Sequence, residues 1–404
     1  MKFIDGGITA AKGFKASGMH CGIRRNRSKP DLALIFSNVP CSAAAVYTQN
    51  LVKGAPLLVT QRNISDGKAQ AVICNSGNAN TCTADGEEKA EIMCKAAAQE
   101  LGIKPSDVIV ASTGVIGQVL PIEPILNAVP ELVTALCEHS SENAARAIMT
   151  TDTKIKETAV EFEIDGKPVH IGGIAKGSGM IHPNMATMLS FLTTDAVISP
   201  ETLSLALHEA TQKTFNMISI DGDTSTNDMV TVLANGLAEN YEIKADTKYY
   251  KIFTAALTAL CMELAKKIAG DGEGATKLLV CNVKGAKSEN DAQLAAKSVI
   301  CSALFKAAMF GADANWGRVL CALGYSKADI DIKKVDVAFK SSEGSIEVCK
   351  DGAGIKFDET KAKKILSQDE IDVNVTLHDG NFKAAAFGCD LTYDYVKING
   401  DYRT

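Results

Sequence analysis

Several features are missing from this sequence of 404 residues, and each absence removes a class of function. No uninterrupted apolar stretch approaches the roughly 20 residues that a membrane helix needs. The opening MKFIDGGITAAKGF has no apolar core of the secretory kind, so no signal peptide is expected. Basic residues are outnumbered: 42 Lys and Arg face 48 Asp and Glu, a formal net charge of −6. The short RRNR at 24–27 reads as a solvated turn, and nothing else points to nucleic acid. Clustered metal ligands are absent too. The six histidines form neither HExxH nor a pair at helical spacing, and the twelve cysteines contain no CxxC. No metal is therefore expected. Cysteines in apolar runs such as AVIC (71–74) and LLVC (278–281) read as small buried hydrophobes in a reducing compartment. The expectation is a soluble, cytoplasmic protein without repeats or low-complexity linkers.

What is present is globular. Hydrophobic residues make up 46% and charged residues 22%, and the length allows two domains or one large sandwich. Short Val- and Ile-rich runs bounded by turn residues predict strands at 32–37, 69–74, 107–112, 158–164, 229–235, 277–283, 335–340, 371–377 and 382–388. Apolar residues at helical spacing predict helices at 85–101, 122–138, 200–214, 247–268 and 290–309. Pro200 suits a first helical turn, with Ser199 as its N-cap. Strands fall in adjacent groups as well as alternating with helices. That fits a layered α/β sandwich better than a doubly wound parallel sheet. The polar stretches 238–247 and 285–291 are candidate lobe boundaries.

Segments rich in Gly, Ser, Thr and Asn follow or adjoin apolar runs at 74–86, 111–117, 175–188 and 219–228. Any one of them alone reads as a turn. Together they are consistent with a shared polar cleft whose backbone N–H groups face a ligand. GDGEGATK (270–277) is not a phosphate loop, because Leu278 follows the lysine where Ser or Thr is required. Its glycines end one helix and turn into a strand, with Glu273 inside the turn.

Thr187 stands where the loop KGSGMIHPNMA (176–186) gives way to an apolar run. A threonine hydroxyl needs a base to become a nucleophile, and one solution is its own α-amine after the chain breaks before it. An α-amine titrates near 7.7–8.0, which suits proton transfer at neutral pH. The hydroxyl could open the chain itself by attacking the preceding carbonyl, where Ala186 offers little crowding. On composition alone, Thr187 also reads as an ordinary residue at the start of a strand.

KGSGMIHPNMATML (176–189) resembles the self-cleavage and nucleophile segment of the ArgJ family, the glutamate N-acetyltransferases (ornithine acetyltransferases) of arginine biosynthesis. GGITAAKGFKASGMHCGIRR (6–25), NSGNANTCT (75–83), STGVIG (112–117), MTTDT (149–153), DGDTSTND (221–228), GDGEGATK (270–277), GADANWGR (311–318) and CDLTYDYVKINGDYRT (389–404) are similar to the same family, in order. The resemblance implies self-cleavage between Ala186 and Thr187 into an α chain (1–186) and a β chain (187–404). Thr187 would then carry the acetyl group from N-acetylornithine to glutamate, by ping-pong transfer without a cofactor. Acetyl-CoA as a second acetyl donor is left open. Thr113 and Gly114 would form the oxyanion hole, and Thr153, Lys176, Thr187, Glu273, Asn399 and Thr404 would bind substrate. We expect Lys176 to meet a carboxylate and Glu273 an ammonium. Thr404 is the last residue, so its role requires the C-terminal tail to fold back into the site. The implied fold is an α/β/β/α sandwich of the N-terminal-nucleophile kind with a second, smaller α/β lobe, and the implied assembly is a dimer of αβ pairs. Two other readings stand beside this one. The first is a related N-terminal-nucleophile amidohydrolase or aminopeptidase. The second is a non-catalytic metabolite binder with Thr187 left internal.

Overall fold

The computed structural model describes residues 1–182 and 188–401. The chain divides into two units, one holding Met1–Gly177, Pro183–Phe215 and Thr224–Leu264, the other Ser178–His182, Asn216–Asp223 and Ala265–Thr404. Each is mixed α/β and has its own sheet.

Among the described residues, the larger unit has a nine-stranded sheet. Its order is Lys2–Ile4, Lys156–Ile164, Lys167–Lys176, Leu189–Thr194, Met229–Ala234, Leu32–Tyr47, Lys68–Asn78 and Val108–Val115, with Phe14–Met19 also paired to Leu32–Tyr47. The strand predicted at 32–37 runs on to Tyr47, through an irregularity between Phe36 and Cys41 that spans Pro40. Proline cannot donate to a ladder, so the strand breaks register there and continues with new neighbours. Its first half pairs with Phe14–Met19 and Lys68–Asn78; its second half keeps Lys68–Asn78 only at Cys41 and Ser42 and pairs with Met229–Ala234 from Ser42 to Tyr47.

This long strand divides the core by the alternation of its side chains. Leu32 and Leu34 join a cluster with Met93, Ala97, Ile125 and Val129, from helices Gly86–Leu101 and Ile122–Thr134. Ala33 and Ile35 face the other way, into a cluster with Ile174, Leu189, Phe191, Met229 and Leu233. Behind those strands Phe162 meets Phe253 of helix Lys248–Ala269 edge-on, ring centres 6.2 Å apart. The layers are thus α/β/β/α, the order expected.

The smaller unit has a seven-stranded sheet among the described residues, ordered Ala353–Gly354, Gly344–Lys350, Asp336–Ser341, Glu370–Thr376, Leu278–Ala286, Phe382–Cys389 and Ile218–Ser219. Helix Glu289–Cys301 covers Leu278–Ala286 and Phe382–Cys389. The single helix expected at 290–309 is two, Glu289–Cys301 and Ala303–Phe310, meeting at 57°. Ser302 makes the break: it leaves the helical region and its Oγ accepts the Phe305 N–H, starting a new helix. The helix expected to reach 138 ends at Thr134 and carries Pro130 inside it. Helix Pro200–Lys213 begins as expected, with Ser199 Oγ accepting the Thr202 N–H.

All twelve cysteines are free thiols, and seven are buried. No single helix among the described residues is long and apolar enough to cross a membrane. No group of three or more metal-ligating side chains occurs among them.

Candidate active site

In the larger unit, three of the Gly-, Ser-, Thr- and Asn-rich segments are bound to one another. Asn227 is the tie. Its Nδ2 donates to the Ala79 and Ser112 carbonyls at 2.6 and 3.0 Å, and its Oδ1 accepts from the Thr81 and Thr226 hydroxyls at 2.7 and 2.6 Å. Ser112 Oγ donates to Asn75 Oδ1 at 2.5 Å. These groups are buried, where an unmade hydrogen bond costs roughly 1–3 kcal/mol, so the network holds its loops in place.

Thr113 and Gly114 lie at the end of Val108–Val115, pairing with Ser76 and Gly77 where the ladder slips at Asn78. The slip is a bulge, which turns backbone groups out of the ladder. Gly114 has φ 134°, and a Cβ there would lie 2.3 Å from the Gly77 carbonyl carbon. Only glycine fits.

Lys176 ends its strand opposite Leu189, and Leu189 pairs on its other side with Met229. Lys176 is buried, and its Nζ donates to Thr113 Oγ1 at 3.4 Å. Burial pulls its pKa down, the charge of Asp152 opposes this, and Lys156 adds to it. Asp152 is the anchor of this corner. Its Oδ1 accepts from Lys156 Nζ at 2.6 Å and from the Gly177 N–H at 2.7 Å; its Oδ2 accepts from the Thr150 N–H at 2.9 Å. Burial works to raise the Asp152 carboxyl, but Lys156 and Lys176 outweigh it and hold it well below the usual range. Thr153 follows directly and is exposed. Asp228, just ahead of Met229, is buried; desolvation holds its carboxyl well above the usual range, against the pull of Ser225 and Lys176.

In the smaller unit, Glu273 sits in the turn after helix Lys248–Ala269. Its N–H donates to the Ser178 carbonyl at 2.9 Å, and Ser178 Oγ donates to the Asp271 carbonyl at 2.7 Å. The carboxylate lies over Gly179, where a Cβ would come within 2.3 Å of it. Asn399, on helix Tyr393–Asp401, donates to Glu273 Oε2 at 2.8 Å. The C-terminal helix is tied to the same turn by Thr392 Oγ1, which donates to the Gly274 carbonyl at 2.7 Å.

Among the residues singled out from sequence, Thr113 and Lys176 are therefore in contact in the larger unit, and Glu273 and Asn399 in the smaller. Ala186, Thr187 and Thr404 lie outside the described residues. Asp152, Lys156, Asn227 and Asp228 were not singled out. Asp152, Asn227 and Asp228 fall within the quoted segments MTTDT and DGDTSTND, but their burial carries no local sequence signal.

A hydroxyl at a bulge, a buried lysine beside it and a buried carboxyl thus stand around one strand head. The chain belongs to the ArgJ family, whose sequence profile matches residues 15–404. It is similar over its whole length to the arginine biosynthesis bifunctional protein ArgJ of Caldanaerobacter subterraneus subsp. tengcongensis, 51% identical over 405 residues, 100% of both chains. It is 52% identical over 398 residues to ArgJ 1 of Clostridium acetobutylicum, 98% of this chain and 97% of that one. The crystal structure of ArgJ from Bacillus halodurans is 47% identical and superposes with a TM-score of 0.51, covering 54% of this chain and 100% of that chain.

Proposed function

We propose that this chain, an acetyltransferase of arginine biosynthesis, cleaves itself between Ala186 and Thr187 and moves an acetyl group from N-acetylornithine to glutamate on the Thr187 hydroxyl. The carrying observation is kinship along the entire chain at about 50% identity with proteins named for this pathway. The register supports the choice of nucleophile. Thr187 lies two residues ahead of Leu189, which stands between Lys176 and Met229 in the sheet. The extent of the solved relative supports the break, since residues 187–404 are 218 of 404, the same 54% that the relative's whole chain covers.

The new α-amine takes the proton from the Thr187 hydroxyl, which attacks the acetyl carbonyl. The oxyanion is met by Thr113 and the Gly114 N–H, and ornithine leaves. Glutamate then attacks the ester and departs as N-acetylglutamate. Each step is acyl transfer between oxygen and nitrogen, so no cofactor takes part. The relatives are named bifunctional, and acetyl-CoA is the second acetyl donor to test on this chain. Lys176 receives a substrate carboxylate and Glu273 an ammonium, with Thr153, Asn399 and Thr404 completing the contacts. The two products of cleavage stay together, because strands on both sides of position 186 interleave in one sheet. Two such pairs form the assembly. Free thiols throughout fit the cytoplasm. The relatives give no support to an amidohydrolase.

The test is an intact mass under denaturing conditions. Two species summing to the chain plus one water, split before Thr187, are expected. Acetylornithine should then add one acetyl group to the C-terminal piece, and glutamate should remove it far faster than water. A single uncut mass with no turnover overturns the proposal.

A further inference from the structure

At the head of strand Leu189–Thr194 two side chains of opposite type are buried. Lys176 ends the antiparallel neighbour and pairs with Leu189; Asp228 immediately precedes the parallel neighbour, whose Met229 pairs with the same Leu189. The Met229 N–H donates to the Met188 carbonyl at 2.9 Å, and the Thr48 N–H donates to the Asp228 carbonyl at 3.0 Å, so the backbone of Asp228 is fixed on both sides. Asp228 is 2% exposed, and its Oδ2 has no hydrogen-bond partner among the described residues. A buried carboxyl oxygen left without a partner is costly, and such a group is retained where a ligand or a proton comes to it.

We propose that Asp228 serves the substrate nitrogen: Oδ2 receives the ammonium of the acceptor amino acid, takes its proton, and returns that proton to the leaving amine in the other half-reaction. This rests on the acetyl transfer proposed above. When glutamate is acetylated, its ammonium loses one proton to Asp228. The nitrogen lone pair attacks the ester carbonyl carbon, the C–N bond forms and the bond from carbon to Thr187 Oγ breaks. The second nitrogen proton passes to Oγ. When ornithine is released, the Thr187 hydroxyl proton and the Asp228 proton both end on the departing nitrogen, and Asp228 is ionised again. Lys176, on the opposite side of the same strand head, takes the carboxylate of the same amino acid.

The electrostatics suit the role. Burial holds the Asp228 carboxyl well above the ordinary carboxylate range, which favours its holding a proton. The charged groups that bear on this corner are Lys176, Asp152, Lys156 and Arg24, and the buried Cys74 thiol is pushed up to about 12, too high to compete.

Asp228→Asn keeps the shape and removes the proton site. The acetyl-enzyme is loaded from p-nitrophenyl acetate, whose leaving group needs no proton, and is discharged with glutamate or with methoxyamine, which attacks as an uncharged amine. Variant and wild type should give the same nitrophenolate burst and the same discharge by methoxyamine. Discharge by glutamate should fall about 10²-fold or more in the variant. Unchanged discharge by glutamate overturns the inference. An equal loss with both amines also overturns it, since that marks a merely structural role. Should the variant stay uncut, wild type decides. Discharge by glutamate should rise with pH along a limb that methoxyamine lacks and that lies well below the titration of glutamate's own ammonium; a rise that only follows that ammonium overturns the inference. No burst in wild type removes the Thr187 reading itself, and the inference with it.

Discussion

Gly114 lies backbone to backbone on Gly77: a Cβ on Gly114 would stand 2.3 Å from the Gly77 carbonyl carbon and 2.5 Å from the Asn78 nitrogen. Neither contact can relax without moving the strand Lys68–Asn78, whose Asn75 and Asn78 side chains hold other loops. Position 114 also has φ 134°, a region closed to other residues. Gly114→Ala should therefore cost roughly 1–3 kcal/mol in strain and displace the N–H from its line. Thr113→Val puts a methyl where the hydroxyl was and takes the acceptor from the buried Lys176 Nζ. It should cost roughly 1–3 kcal/mol of stability and lower acetyl transfer roughly 10²–10³-fold. A Thr113→Val enzyme with unchanged turnover would take Thr113 out of the oxyanion hole.

Asp152 and Lys156 make a buried pair, 0% and 1% exposed and 2.6 Å apart. Asp152→Asn strands the lysine charge, and such a loss destabilises by roughly 3–5 kcal/mol. The pair also sets an acid limb. The Asp152 carboxyl is lowered in the folded protein, so below its unfolded value the unfolded chain binds more protons than the native one. The stabilisation is complete above about pH 4 and is lost as pH falls towards the lowered value. Denaturant midpoints taken from neutral pH downwards should fall in wild type and fall less steeply in Asp152→Asn. Parallel curves would show that the pair is not what acid attacks.

Asp228 has the opposite sign. Its carboxyl is raised by burial, so above the ordinary carboxylate range the native state binds more protons than the unfolded chain. Its contribution to stability is then present at low pH and is lost as pH rises towards the raised value. Asp228→Asn should melt higher than wild type near neutral pH, and the gain should vanish below about pH 4. A stability gained by deleting a residue that activity needs is the usual mark of a functional site. A lower melting temperature near neutral pH would contradict this.

Much of the framework was legible because it obeys local rules. Strands such as Leu278–Ala286 and Glu370–Thr376 are Val- and Ile-rich runs between turns, and Ser199–Pro200 announced a helix start that the structure keeps. The misses share a cause. Lys167–Lys176 and Leu189–Thr194 are strands whose glycines, threonines and polar ends hide the pattern, and only pairing with each other and with the two strands that flank them makes them strands. Ser302 splits a helix whose apolar spacing continues through it, because a cap is a backbone event that periodicity does not register. In the site, the segments were visible but their hierarchy was not. Asn227 and Asp228 sit in a run of eight polar or small residues, DGDTSTND, and which of them is buried depends on strands more than 100 residues away.

Asn399 and Glu273 give the last prediction. They are 126 residues apart in sequence and joined by a 2.8 Å bond from Asn399 Nδ2 to Glu273 Oε2. The helix that carries Asn399 is anchored independently. Asp390 accepts from the Thr276 and Lys277 N–H groups at 2.8 and 2.9 Å, and Thr392 holds the Gly274 carbonyl. Losing the Asn399 amide therefore frees one carboxylate oxygen without undocking the helix. Hydrogen bonds to a charged group are worth roughly 1.5–3 kcal/mol. If that carboxylate binds a substrate ammonium, Asn399→Leu should raise KM for acetylornithine about tenfold. Self-cleavage and discharge of a preloaded acetyl-enzyme by methoxyamine should stay as in wild type. Glu273→Gln should raise KM further, because it removes the charge and not only its orientation. Lys176→Met should do the same through the carboxylate. An unchanged KM in both Glu273→Gln and Lys176→Met would sink the assignment of the two charges to the substrate.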